Sequence, residues 1–159
     1  MNTSINTCLT KTRRQWLSQL GILTTVALLP KKLSATPADM QNAIQAQFGN
    51  TRIQVGRVKL SLPALAENGN SVRVQVEVDS AMDADDHVSF IQLFAQANPL
   101  PDIARYELSR YSGKAAIETR IRLAAEQDVV AIAGLNDGSL WSGSGHIVVT
   151  EAACLDALI

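Results

Sequence analysis

The chain has 159 residues, of which 47% are hydrophobic and 18% are charged, enough for one domain with its own core. Charge is distributed unevenly, because five of the 14 basic residues precede residue 36 and all 15 acidic residues lie at or after Asp39. Residues 36–159 therefore hold nine basic and 15 acidic side chains, a formal charge of −6. This excludes a basic nucleic-acid footprint and disfavours an anionic membrane as partner.

The first 35 residues have the features of an export signal. Arg13 and Arg14 stand directly before Trp16 and Leu17, and residues 17–29 form a largely apolar run. At about 13 residues this run is shorter than the ~20 needed to cross a bilayer, so it indicates a removable signal. The paired arginines resemble a twin-arginine signal, which exports folded proteins. We expect a periplasmic protein, with an ordinary secretory signal as the alternative.

The segment after the signal has the pattern of a short helix over residues 36–49. Thr36 is a good cap residue, Pro37 suits the first helical position and Asp39 suits the third. Gly49 is typical of a helix end. The apolar stripe that would face the core consists of Met40, Ile44 and Phe48.

The signal is expected to end among small residues, at Ser34, Ala35 and Ala38. Cleavage after Ala35 and cleavage after Ala38 both remain open, and the first is favoured because it keeps Thr36 as the helix cap. Cys8 precedes the apolar run and would leave with the signal.

Residues 50–150 are dominated by the alternation of apolar and polar residues that is typical of β-strands. It is clearest at Val72, Val74, Val76 and Val78. An earlier alternation over residues 53–62 slips near Gly56, where we expect a bulge. Further strands are predicted at residues 88–95, 103–110, 115–123, 129–135 and 146–150. About seven short strands with turn signals between them predict an all-β fold, an immunoglobulin-like antiparallel β-sandwich behind a short N-terminal helix.

Cys154 is the one cysteine that remains after the signal is removed, and it lies on a C-terminal tail, residues 151–159. A single thiol in an exported protein pairs with another chain, reacts, or is inert, and a tail position argues against the inert option. Its charged neighbours are Glu151 and Asp156, with no basic residue after Arg122. Anions disfavour a thiolate, so the pKa of Cys154 should not fall below its ordinary ~8.5 unless the fold supplies a cation.

Other polar residues give no sign of a metal or cofactor site, and we expect none. His87 and His146 have no further ligand at metal-binding spacing. The acidic turn 83–86 lacks the glycine and closing glutamate of a calcium loop. Residues 142–145, Ser-Gly-Ser-Gly, lack the residue order of a nucleophile elbow. Exposed strand positions that could meet the acidic residues of a partner are expected at Lys114, Arg120 and Arg122.

Four stretches of the strand region share a pattern with one known family. They are residues 62–70 (Leu-Pro-Ala-Leu-Ala-Glu-Asn-Gly-Asn), 93–101 (Leu-Phe-Ala to Asn-Pro-Leu-Pro), 113–124 (Gly-Lys-Ala to Thr-Arg-Ile-Arg-Leu-Ala) and 129–139 (Val-Val-Ala to Asp-Gly-Ser). Taken in order with the twin-arginine signal, they resemble SoxY, the sulfur-carrying subunit of the bacterial thiosulfate-oxidising (Sox) system. The resemblance runs from the first helix to Cys154.

This resemblance implies an immunoglobulin-like domain over residues 50–150 and a carrier arm over residues 151–159. By position, Cys154 matches the cysteine on which the family holds thiosulfate-derived sulfur as a persulfide-linked intermediate. The resemblance also implies a small partner subunit, SoxZ, in a heterodimer. Separate Sox enzymes would visit the arm transiently to attach, hydrolyse and oxidise the sulfur. The chain itself would then be a covalent carrier and not an enzyme.

The arm departs from the family pattern. The family has two glycines on each side of the cysteine, whereas this chain has Ala152 and Ala153 before it and Leu155 after it. Glycine makes an arm slim and pliable, so the fit of this arm to the standard Sox enzymes is an open question, as is the sulfur species carried. Two other hypotheses compete: a structural module that dimerises through an intermolecular Cys154 disulfide, and a small thiol enzyme with Cys154 as nucleophile.

Overall fold

The computed structural model describes residues 36–151. In this range one helix, α1 (Pro37–Phe48), precedes nine strands. The strands are β1 (Ile53–Val55), β2 (Val58–Ser61), β3 (Leu65–Asn68), β4 (Val72–Val78), β5 (Val88–Ala95), β6 (Asp102–Glu107), β7 (Ala116–Ile121), β8 (Gln127–Leu135) and β9 (Leu140–Glu151). The predicted all-β domain behind a short helix is confirmed, with nine strands in place of about seven. No helix among these residues is long and apolar enough to span a membrane.

The strands form two sheets that pack together as a β-sandwich. The larger sheet has the order β1-β9-β8-β5-β6, and β3 pairs with the end of β9. The smaller sheet consists of β2, β4 and β7. Neighbouring strands are antiparallel, except that β1 and β3 both run parallel to β9. The expected immunoglobulin-like sandwich is confirmed, and the two parallel pairings are additions that the sequence did not indicate.

The core lies between the two sheets, and the valine alternation of β4 supplies one side of it. Val74 and Val76 are completely buried, while the residues between them are exposed. β5 and β8 supply the other side and are buried at nearly every residue. They are buried on both faces because the small sheet covers one face and α1 covers the other. Complete burial of one valine side chain contributes about 1.5–3 kcal/mol.

Helix α1 begins and ends where the sequence predicts. The hydroxyl and backbone N–H of Thr36 donate to Asp39 Oδ2 at 2.8 and 2.7 Å, which completes a capping box. Gly49 ends the helix with φ +61°, a conformation that glycine adopts without strain.

The predicted apolar stripe of α1 packs on the outer face of the large sheet. Met40 is buried in a cluster with Phe94 and Ile132, and the Phe48 ring stacks on Phe90 at 5.8 Å between centroids. The orientation of the helix is therefore fixed by side chains that point away from the main core.

A buried polar side chain completes the docking of α1. Gln92 is fully buried in β5, and its Nε2 donates to Gln47 Oε1 at 2.6 Å and to Asp102 Oδ1 at 2.9 Å. Its Oε1 accepts from Arg105 Nη1 at 3.2 Å. Because both ends of the amide have partners, its burial carries no desolvation penalty from an unpaired group.

The prediction of one bulged strand over residues 53–62 is wrong. β1 and β2 belong to different sheets, and the chain crosses between them at Gly56 (φ +119°) and Arg57 (φ +47°). The Arg57 side chain holds this crossing, since Nη2 donates to Asp86 Oδ2 at 2.6 Å and Nε donates to the Asp79 carbonyl at 2.8 Å. Ile53 of β1 packs in the cluster beneath α1 and Val55 is exposed, whereas Val58 and Leu60 of β2 pack against the main core. Alternation gives the spacing of apolar residues but not the sheet or cluster that they join, so it could not reveal the change of sheet.

The Ser-Gly-Ser-Gly stretch of β9 is a packing feature. A Cβ on Gly143 would overlap the carbonyl oxygen of Val58, and one on Gly145 would lie 3.1 Å from Leu62 Cδ1. The two glycines therefore let β2 and the residues after it approach the backbone of β9 closely.

Strand β3 had no counterpart in the sequence prediction. It is mostly exposed and shows no clean alternation, so it is a strand only because it pairs with β9. The final strand begins at Leu140 rather than at residue 146, and its extra residues pair with β8 and β1. The other predicted strands differ from the observed ones by a few residues at their ends.

Candidate functional site

The residues that the sequence assigns to function lie outside the described part of the chain. This holds for the covalent carrier Cys154, for its arm neighbours Ala152, Ala153 and Leu155, and for Arg13 and Arg14 of the export signal. The described chain ends at Glu151, three residues before Cys154. We call Thr150 and Glu151 the arm root, and we call the end of the sandwich where β9 finishes the arm end.

The arm root is held by strand β3. Asn68 pairs with Glu151 in a parallel register that begins at Leu65 and Val148. The Thr150 hydroxyl donates to the Glu67 carbonyl at 2.8 Å. These bonds keep the last residues of β9 in the sheet, although β8 stops pairing with it at Ile147.

Gly69 joins the arm root to the small sheet. Its N–H donates to the Glu151 carbonyl at 2.8 Å, and its own carbonyl accepts from the Leu123 N–H at 2.9 Å. Gly69 is buried and lies in a turn that Asn68 stabilises by accepting from the Asn70 N–H at 2.7 Å. A single residue therefore separates the backbone of Glu151 from that of Leu123.

A second set of hydrogen bonds continues from Leu123 into the large sheet. Asn98, 8% exposed, donates through Nδ2 to the Arg122 carbonyl at 2.8 Å and accepts through Oδ1 from the Ala124 N–H at 2.9 Å. Gln127, 3% exposed, donates to the same Asn98 oxygen at 3.1 Å and accepts from the Ala97 N–H at 2.7 Å. The loops at the arm end thus form one connected platform beneath the arm root.

Three exposed arginines lie at the arm end. Arg73 and Arg120 face each other across the β4–β7 pair, and Arg122 follows directly after β7. Arg73 Nε lies 2.8 Å from Glu118 Oε1, and hydrogen bonding to Arg73 holds the pKa of Glu118 below its usual range. Arg120 Nη1 donates to Ser71 Oγ at 3.3 Å. Among residues 36–151, neither Arg120 nor Arg122 has a carboxylate within 4 Å.

The acidic turn predicted at residues 83–86 serves the structure. Asp83 Oδ1 accepts from the N–H groups of Asp85 and Asp86 at 2.9 and 2.8 Å. Asp86 is ion-paired with Arg57, and the Nδ1 of His87 lies 3.0 Å from the Asp83 carbonyl. The carboxylates of Asp83 and Asp86 are therefore occupied by hydrogen bonds within the turn and by the ion pair at the crossing.

His146 forms an exposed cluster with two carboxylates. Its Nδ1 lies 2.8 Å from Asp128 Oδ1 and its Nε2 lies 3.3 Å from Glu126 Oε1. The hydrogen bond to Asp128 raises the pKa of His146 above its ordinary value of 6.5. The protonated His146 therefore stabilises the folded protein fully below pH 6.5, and this stabilisation is lost as the pH rises through the raised pKa of His146. In the described range no group of His, Cys, Asp or Glu could hold a metal ion.

Comparison with a family model decides the relationship of the chain. The model described as sulfur oxidation protein SoxY matches residues 44–154, more than half of the 159 residues. This chain belongs to the SoxY family. The last matched residue is Cys154. The resemblance found in the sequence stretches is confirmed.

Solved structures show the same fold. The sulfur carrier protein SoxY from Chlorobium limicola f thiosulfatophilum matches with a TM-score of 0.59 and 28% identity, over 71% of this chain and 97% of that one. Superoxide reductases match at lower identity: the neelaredoxin from Ignicoccus hospitalis (TM-score 0.52, 18% identity, 74% of this chain and 96% of that one) and the enzyme from Nanoarchaeum equitans (0.51, 14%, 60% and 100%). These two likenesses show the sandwich fold alone. No curated protein matches the chain.

Three of the four stretches shared with SoxY meet at the arm end. Gly69 belongs to residues 62–70, Asn98 to residues 93–101, and Arg122 to residues 113–124. The sequence predicted Gly69 and Asn98 as turn residues between strands, and it gave them no role in holding the arm root. Their roles depend on hydrogen bonds between residues far apart in the chain, which no local pattern displays.

Replacement of Asn98 by alanine tests the platform. Asn98→Ala leaves the Arg122 carbonyl and the Ala124 N–H without their buried partner, so we expect the free energy of unfolding to fall by about 2–3 kcal/mol. Hydrogen exchange at the Gly69 and Leu123 amides should also accelerate, more than exchange in β5. Denaturant titration and amide exchange measure the two effects.

The matched control is Asn70→Ala, which removes an exposed asparagine side chain from the neighbouring turn. We expect a change within about 0.5 kcal/mol. Equal effects of the two substitutions would contradict a structural role for Asn98.

Proposed function

We propose that this protein is a periplasmic sulfur carrier that holds thiosulfate-derived sulfur covalently on Cys154 and presents it to enzymes of sulfur oxidation. The observation that carries the proposal is the SoxY family match, which extends to Cys154 itself. The similar protein from Chlorobium limicola f thiosulfatophilum is named a sulfur carrier protein.

The geometry of the arm root supports this role. Three residues beyond Glu151 reach at most about 11 Å when fully extended, so the Cys154 backbone stays within that distance of a base held by β3 and Gly69. A carrier needs a thiol that is tethered to a fixed point and can still enter the site of another protein. The arm root supplies the fixed point.

The chemistry of loading places catalysis in partner enzymes. Joining thiosulfate to Cys154 forms a sulfur–sulfur bond, releases the thiol proton and passes two electrons to an acceptor, which an electron-accepting Sox enzyme would provide. The sequence places Glu151 and Asp156 near Cys154, and acidic neighbours disfavour the thiolate form. The chain would therefore carry the sulfur without turning it over.

Cys154→Ser tests the carrier role. Intact-mass spectrometry of protein exported by cells grown on thiosulfate should show a sulfur adduct on wild type and none on Cys154→Ser. Folding should be nearly unchanged, because the arm lies beyond the last described strand, and denaturant titration checks this. The adduct mass also distinguishes sulfane sulfur from a thiosulfonate.

Two outcomes would contradict the carrier role. A fully oxidised, sulfur-free dimer linked through Cys154 would favour the structural module. Sulfur-dependent growth that persists with Cys154→Ser would remove the carrier role.

A SoxZ-like subunit is the proposed partner. The proposal rests on the SoxY family match, and the exposed side chains of Leu65 in β3 (55% exposed) and Tyr111 (80% exposed) are apolar surface that a partner would cover. Co-expression with a SoxZ-like subunit should yield a 1:1 complex by size-exclusion chromatography with light scattering. The control is Cys154→Ser, which should form the same complex, since the association is non-covalent. A wild-type chain that stays monomeric beside the subunit would be evidence against this partner.

Export by the twin-arginine route is the proposed path to the periplasm. Replacing Arg13 and Arg14 by lysine should leave the precursor in the cytoplasm, and cell fractionation measures this. Cleavage after Ala35 is favoured, because Thr36 then remains to form the observed capping box with Asp39. N-terminal sequencing of the exported protein identifies the cleavage site, and export unchanged by the double substitution would indicate the general secretory route.

A further inference from the structure

The arm end carries positive charge in a chain whose exported part is acidic. Residues 36–159 have a formal charge of −6, yet three of their nine basic residues, Arg73, Arg120 and Arg122, lie together at this end. All three are exposed. Like charges directly opposite each other across a strand pair, as Arg73 and Arg120 are, destabilise a sheet. A ligand of opposite charge would relieve that repulsion.

Two of the three arginines are available to such a ligand. Arg73 is occupied by Glu118 at 2.8 Å. Arg120 contacts the neutral Ser71 hydroxyl, and Arg122 makes no side-chain hydrogen bond with another of the residues 36–151. Arg120 and Arg122 are exposed on either side of the buried Ile121, so their side chains project from the same face. Their Cα atoms lie about 7 Å apart in extended backbone. Guanidinium groups offer fork-shaped donor sets that match oxyanions.

The backbone of Arg122 is held next to the arm root. The Leu123 N–H donates to the Gly69 carbonyl, and the Gly69 N–H donates to the Glu151 carbonyl. The segment that carries Arg122 is therefore linked to the arm root through Gly69. Asn98 fixes the Arg122 carbonyl from the other side. Three residues beyond Glu151 reach at most about 11 Å. Because Gly69 alone separates the Glu151 backbone from that of Leu123, a group on Cys154 can meet the long side chain of Arg122 within that reach.

We propose that Arg120 and Arg122 form an oxyanion site that binds the terminal sulfonate of the group carried on Cys154. This inference rests on the proposed carrier function. The site takes a tetrahedral sulfur oxyanion, contacts it through two guanidinium groups, and holds the loaded group against the domain between visits to partner enzymes. It also attracts anionic sulfur reagents towards the thiol.

Tetrathionate is a probe that loads the thiol without an enzyme. The Cys154 thiolate attacks an inner sulfur of tetrathionate, a new sulfur–sulfur bond forms, the central sulfur–sulfur bond breaks, and thiosulfate leaves with the electron pair. The product carries one –SSO3⁻ group, which intact-mass spectrometry detects. The rate of this reaction with the exported protein therefore reports how well the site attracts the sulfonate.

Arg122→Gln and Arg120→Gln should each slow tetrathionate loading by about threefold, the size expected for an exposed charge pair, and the double variant should slow it by about tenfold. The difference in loading rate between wild type and the variants should shrink in high salt, because salt screens exposed charges. The matched control is Arg52→Gln, which removes an exposed arginine next to β1, beside the far end of β9. It should load at the wild-type rate.

A neutral pyridyl disulfide separates action on the sulfonate from action on the thiol. It reacts with the same thiolate but carries no anion, so wild type and the double variant should react with it equally fast. If the double substitution slows the reactions with both reagents by the same factor, the arginines act on the thiolate or on the acidic arm, and the inference is overturned. An unchanged rate with tetrathionate would overturn it as well.

Failure of the carrier function has a different signature. Protein from sulfur-grown cells would then lack any adduct on Cys154, whereas the difference between the two reagents in vitro would still report the oxyanion site. The two proposals can therefore be rejected separately.

Discussion

The parallel pairing of β3 with the last residues of β9 is the constraint on which the structure of the arm end depends. β9 pairs with β8 as far as Ile147, and from Val148 to Glu151 its partner is β3. Chain termini fray unless they are tied into a sheet. Here the tie includes the Gly69 bond to the Glu151 carbonyl. The point where the arm leaves the domain is thereby held in the sheet.

The same strand also organises the sandwich. β9 has β8 on one side and both parallel strands, β1 and β3, on the other. Gly143 and Gly145 remove the side chains that would keep β2 away, so the chain can cross from the large sheet to the small one close to β9. Arg57 then fixes that crossing through Asp86 and Asp79. The neighbours of β9 therefore determine both how the two sheets pack together and where the arm root lies.

Charge and burial distinguish the body of the domain from the arm end. The buried polar side chains of the body have hydrogen-bond partners. Gln92 bonds to α1, and Asn98 and Gln127 bond to each other and to the loops of the arm end. None of the buried side-chain polar atoms in the described range lacks a hydrogen bond. Support of this kind fixes the backbone positions from which the exposed arginines of the arm end project. A tethered thiol needs such a base if several enzymes are to find it at the same position.

Local sequence patterns determined the elements that have a local cause. The capping residues Thr36 and Asp39 set the start of α1, and the alternation of Val72 to Val78 set β4, because capping and side-chain period are encoded in neighbouring residues. The family resemblance could also be recognised from the sequence, since it depends on residue order.

Only the tertiary structure decided the features that depend on distant partners. Residues 53–62 alternate as one strand would, yet they divide between two sheets, because alternation does not record which sheet or which apolar cluster a residue joins. β3 has no strand pattern and exists because β9 lies beside it. The sequence placed no basic residue after Arg122, but folding brings Arg122 to the base of the arm through Gly69 and Leu123. Hydrogen bonds between residues far apart in the chain made that juxtaposition, and no local pattern records them.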